Sequence, residues 1–213
     1  GGEYPARVVL PVLRHLALYW APEPPQRSHP RHSVKTRMAV LQGFDDCFTL
    51  FSGNVARLGK ERTAESWVVE NVSLGGFRAR VDTVGEWLKI GALLGLQPEG
   101  GENWLLGIVR RYHRATENEA RVGIEALARQ VVSVEAHVRS ASSYAAVAGI
   151  PALLALDPQP SGDTLVVLPP ATFDLRENLE FTRDGRRQAL APVALVEQTA
   201  DYELARYRLS VIG

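Results

Sequence analysis

Two arginines four residues apart, Arg27 and Arg31 in the stretch QRSHPRHSV, place a pair of planar, multi-donor cations just after a proline-rich joint. Guanidinium groups grip phosphates and the acceptor edges of bases in bidentate fashion. The spacing alone says little, because Arg110/Arg114 and Arg183/Arg187 repeat it in a chain with 21 Arg and 3 Lys. A second group discriminates more. Asn71, Ser73 and Gly76 in ENVSLGGF set a carboxamide, a hydroxyl and a glycine at N-x-S-x-x-G spacing between two strand-like runs. In such a turn an amide, a hydroxyl and an approachable backbone converge on one side. The same residues also serve simply to close a turn, with glycine supplying a positive φ.

Other chemistry is thinly represented. His29 and His32 lack an acidic or cysteine partner at ligand spacing, so no metal is expected. Asp45 and Asp46 read as a turn, and Trp67, Trp87 and Trp104 as core or barrel-rim residues at strand positions rather than a stacking platform for single-stranded nucleic acid. No Gly-rich phosphate loop, nucleophile elbow or HExxH is present, so an enzyme is not expected. Basic and acidic residues balance at 24 each, which gives no global field toward DNA, RNA or an anionic membrane. The one cysteine, Cys47, cannot form an internal disulfide and reads as a structural thiol. No apolar run reaches membrane-spanning length, and a cytoplasmic setting is expected. The only methionine is Met38, so Gly1-Gly2 reads as the edge of a piece of a longer chain.

The elements that must carry these groups are mostly strands. Residues 1–20 have a helical apolar stripe at Val9, Val12/Leu13, Leu16 and Trp20, and residues 21–26 form a Pro-rich linker. Beyond it the apolar period becomes two, at Val34, Thr36, Met38 and Val40, and again at Phe77, Ala79 and Val81. Further strand candidates are Ser66–Glu70, Trp87–Leu96, Trp104–Tyr112 and Ala120–Glu125. A second series starts near Val131 and continues through Ile150–Leu156, Thr164–Leu168, Asn178–Thr182, Ala189–Leu195 and Glu203–Ile212, with a hairpin signal at Asp184-Gly185. Many short strands at this spacing predict a closed antiparallel barrel, followed by a second, smaller β domain. No sequence repeat links the two halves.

In order and spacing the two groups resemble the motifs of the PilZ domain family, small bacterial β-barrels that bind cyclic di-GMP. There an RxxxR pair leads the domain and a [D/N]xSxxG turn follows, as Arg27/Arg31 and Asn71/Ser73/Gly76 do here. The later stretch, with its GIVR and VGIE strands, is similar to the family's closing strands, so the likeness runs from Arg27 to Val138. The resemblance implies a PilZ-like barrel over 27–138 and a C-terminal β domain over 139–213. It implies that Arg27 and Arg31 contact phosphate and guanine O6/N7, that Asn71 and Ser73 hold a guanine edge or phosphate, and that Gly76 lets the backbone come close. Arg110, closing GIVR, is an additional candidate. Gln26 stands where a further arginine is common in the family and helps hold two intercalated ligands, which leaves one or two per site open. The implied function is that of a cyclic di-GMP receptor, with no other cofactor, whose arginine loop orders on binding and acts on another domain or a protein effector. The alternative is a ligand-independent interaction module; an RNA-binding barrel would need a basic face.

Overall fold

A computed structural model of the chain describes residues 36–53, 64–73, 75–139 and 149–212. The expected helix over 1–20, the linker and both loop arginines lie outside the described residues. The described chain is mainly β, with two closed six-stranded antiparallel barrels and one short helix.

The first barrel is built from β1 (Thr36–Gln42), β2 (Glu65–Ser73), β3 (Gly76–Val81), β4 (Leu93–Pro98), β5 (Leu105–Arg114) and β6 (Ala120–Ala128). Its cyclic order is β1-β2-β3-β6-β5-β4, closing on β1. Alternation along each strand explains the closure. Met38 and Val40, Phe77 and Ala79, and Val122 and Ile124 point into one core, while Arg78, Arg80 and Arg121 stand between them on the outside. Trp67 fills the centre, 1% exposed, and stacks parallel on Trp87 at 6.0 Å between ring centroids. A pair of this kind contributes about 0.5–1.5 kcal/mol beyond its burial. Trp87 does this from the turns preceding β4, since the strand begins only at Leu93.

The second barrel comprises β7 (Val131–Val138), β8 (Ile150–Ala155), β9 (Thr164–Leu168), β10 (Leu179–Arg183), β11 (Arg186–Gln198) and β12 (Glu203–Val211). Read from β7, the cycle is β7-β8-β9-β12-β11-β10. Adding six to every strand number of the first barrel reproduces it. The two barrels therefore share one topology, although their sequences show no repeat. The Asp184-Gly185 hairpin is formed as its residues predict: both have positive φ, 52° and 73°, joining Arg183 to Arg186.

Two compact units result, one holding β1 to β6 up to Leu127, the other beginning again at Ala128. β7 hydrogen-bonds to β8 and β10, so the second series does start at Val131, and the expected boundary after Val138 falls at the end of a second-barrel strand. The second unit also includes a helix, α1 (Phe44–Phe51), where the sequence suggested a turn at Asp45 and Asp46. Both acids sit in its first turn, where the helix dipole favours them. Phe44, Cys47 and Leu50 recur at three-residue intervals to give it a buried side, and Ser133 of β7 donates its hydroxyl to the Phe48 carbonyl at 2.6 Å.

Candidate functional site

The predicted motif lies on the outer face of the first barrel, and a bulge puts it there. In β2, Trp67 and Val69 point inward; register with β3 then skips Glu70, pairing Val69 with Ala79 and Asn71 with Arg78. The extra residue inverts the alternation, so Val72 packs on the core and Asn71 and Ser73 face out. Without the bulge, Asn71 would continue the inward series of Trp67 and Val69.

Ser73 donates its hydroxyl to the Gly76 carbonyl at 3.3 Å, and the two residues face each other at the mouth of the hairpin. Gly76 is glycine for a reason in the barrel itself. A Cβ there would run into the Ile124 carbonyl of β6, whose Ala126 N–H donates to the Gly75 carbonyl at 2.9 Å. The close backbone approach read into this glycine from sequence is thus made, in the structure, by a neighbouring strand. The Asn71 carboxamide is half-buried and has no hydrogen-bond partner among the described residues. It keeps two donors and an acceptor available.

Around Asn71 the face is lined with charge. Glu70, at the bulge, lies 3.4 Å from Arg121 of β6 and 3.8 Å from Arg78 of β3. Arg80 pairs with Asp82 at 2.8 Å, which holds its guanidinium above the ordinary range. Arg110, the additional candidate, has its Nε held by Glu125 at 2.6 Å. Arg27 and Arg31 fall outside the described residues, as do His29 and His32. Among the described residues no cluster of His, Cys, Asp or Glu could hold a metal ion. Sequence reasoning had no signal for the charged row beside Asn71, because cross-strand neighbours follow from register and not from spacing along the chain.

A closed six-stranded antiparallel barrel with a polar hairpin motif on its outside defines a small β-barrel binding domain. Residues 54–132 match the family model of the middle PilZ domain of the cyclic-di-GMP receptor FimW. That match assigns the first barrel, from β2 through β6, to the PilZ domain family; β1 precedes the matched stretch. No curated protein and no solved structure matches the chain.

Proposed function

We propose that the first barrel is the binding domain of a bacterial cyclic di-GMP receptor, taking the dinucleotide on the outer face at the β2–β3 hairpin. The observation that carries this reading is the uncommitted Asn71 carboxamide, turned outward by the Glu70 bulge beside Ser73 in a barrel matching a cyclic di-GMP receptor domain. Chain connectivity supports a role for Arg27 and Arg31. They precede Thr36, whose partner in β2 is Val69, two residues from Asn71. Four residues separate Arg31 from Thr36, five steps that form a tether of at most about 18 Å, so Arg31 is attached within reach of the motif. In this reading Arg27 and Arg31 take the phosphates and guanine O6/N7, Asn71 and Ser73 take a guanine edge, and Arg110 contributes at the margin. Binding fixes the arginine segment on the barrel and alters how whatever precedes it engages a protein partner.

Calorimetric titration with cyclic di-GMP, with cyclic di-AMP as control, tests the reading. Saturable heat lost in Arg31→Ala and in Asn71→Ala is expected, and the stoichiometry gives one ligand or two. Absence of both heat and thermal stabilisation at high ligand concentration excludes it and leaves a ligand-independent interaction barrel. Amide exchange across residues 26–35, with and without ligand, tests the ordering step; equal protection would remove it.

A further inference from the structure

We infer that Arg111 is a second anion-receiving group of this site, acting with Arg78 to hold a phosphodiester of the bound dinucleotide on the β3–β6–β5 side of Asn71. The inference rests on the cyclic di-GMP reading above and extends it to residues that neither motif includes.

The outward face carries a straight row. Asn71 of β2 is opposite Arg78 of β3, and Arg78 is opposite Gly123 of β6. The next strand, β5, supplies Arg111, and its side chain lies over that glycine. A Cβ at Gly123 would stand 3.2, 3.5 and 3.6 Å from the Cβ, Cγ and Cδ of Arg111. Three successive stem carbons at such distances mean that the exposed Arg111 side chain lies over Gly123 of β6, on the row that Arg78 and Asn71 continue. Glycine at position 123 provides the low point that permits it. From β5 to β2 the row spans three strand spacings, about 14 Å, the scale of a ligand with two phosphodiesters and two bases.

Charge accounting singles out the same residue. Arg80 has Asp82, Arg110 has Glu125 and Arg121 has Glu70. Arg78 shares Glu70 only at 3.8 Å, with its side chain 62% exposed. Arg111 forms no ion pair among the described residues. An arginine whose stem lies over the sheet, without an ion pair among the described residues and on one row with a second, loosely paired arginine, suits a phosphate oxygen pair.

Titration of cyclic di-GMP into the wild-type chain, Arg111→Ala, Arg111→Lys and Gly123→Val decides it. Arg111→Ala should weaken binding about tenfold and flatten its dependence on salt, with Arg111→Lys recovering part of the loss. Gly123→Val, which leaves the arginine in place but pushes its stem off the row, should weaken binding similarly. Arg208→Ala, an exposed arginine of the second barrel, should change nothing. Melting curves unchanged from wild type show that the fold is intact. Wild-type binding with Arg111→Ala within twofold and an unaltered salt dependence overturns the inference alone. No binding by wild type overturns the ligand reading, and this inference with it.

Discussion

The two barrels have one topology and hold their polar groups differently at the corner that follows the second strand. In the second barrel the residues just before β7 are tied to the connection that follows β8. Asp157 accepts the N–H of Arg129 at 3.0 Å and that of Gln130 at 2.8 Å, and Leu156 N–H donates to the Gln130 carbonyl at 2.7 Å. The equivalent corner of the first barrel is the β2–β3 hairpin, where Asn71 has no partner among the described residues and Ser73 turns back on Gly76. One barrel closes the corner with its own carboxylate, while the other leaves a polar group uncommitted and sends two arginines into the entering segment. The second barrel also has no N-x-S-x-x-G at that corner, only Asp157-Pro-Gln-Pro-Ser161-Gly162. An identical strand order therefore does not imply an identical site; the difference lies in how the polar groups at one corner are spent.

The largest expected effect attacks the second barrel's internal closure. Glu203, 3% exposed at the head of β12, accepts the N–H groups of Ala171, Thr172 and Phe173 at 3.1, 3.0 and 2.7 Å and the Gln198 side chain at 3.1 Å. This nest holds Ala171 at its left-handed φ of 56° and seats the Phe173 ring edge-on against Tyr207. Glu203→Ala leaves three part-buried backbone donors without their acceptor and should cost about 3–5 kcal/mol in urea unfolding, leaving nucleotide binding by the first barrel intact. Next is Gly76→Val, which forces β3 off β6 and should destabilise the first barrel by about 1–3 kcal/mol while abolishing binding. Amide exchange should report the loss in β3 and β6 and not in β7 to β12; uniform loosening of all twelve strands would deny the two units their independence.

The strands were legible because the physics that sets them is local. Alternation marked Phe77-Ala79-Val81 and Val132-Val134-Ala136-Val138, and Asp184-Gly185 announced a turn needing two positive φ values. α1 was not legible: FDDCFTLF is eight residues long, too short to establish a period, and is helical because Phe44, Cys47 and Leu50 find a surface on β7 and β8. The shared topology was equally hidden, since closure order depends on register between distant strands. At the candidate site, Asn71, Ser73 and Gly76 could be read from spacing. The bulge that turns Asn71 outward could not, nor could the Arg78-Gly123-Arg111 row. Arg27 and Arg31 remain a proposal resting on sequence and tether length.

A matched pair of substitutions sharpens the comparison at the corner itself. Asp157→Ala removes a carboxylate that accepts two backbone N–H groups, and should cost about 1–2 kcal/mol and loosen the start of β7, with nucleotide binding unchanged. Asn71→Ala removes a side chain with no hydrogen bond among the described residues, and should shift stability by less than about 0.5 kcal/mol while removing binding. Stability and binding measured on both variants should give opposite patterns. The same pattern in both would mean that the two corners do the same job.

The smallest effect separates the units by pH. Burial raises the Cys47 thiol from 9.0 to about 12, and burial, reinforced by the charge of Glu203, raises the Tyr207 hydroxyl as well; both groups belong to the second unit. Each is neutral when folded and loses its proton more readily when unfolded, so in alkali the unfolded state binds fewer protons than the folded one. Stability is then level below pH 9 and falls as pH rises above it, by about 1.4 kcal/mol per pH unit for the thiol alone. Unfolding monitored between pH 8 and 11 should show the second barrel weakening first, and Cys47→Ala should remove the slope below pH 10 but leave one above it, where Tyr207 contributes. The same burial keeps the thiolate scarce, so a disulfide reagent at pH 8 should label Cys47 only at the rate at which the second unit opens. Fast labelling of the native chain would place α1 away from the surface of β7 and β8, and equal alkaline sensitivity in the two barrels would remove this distinction between them.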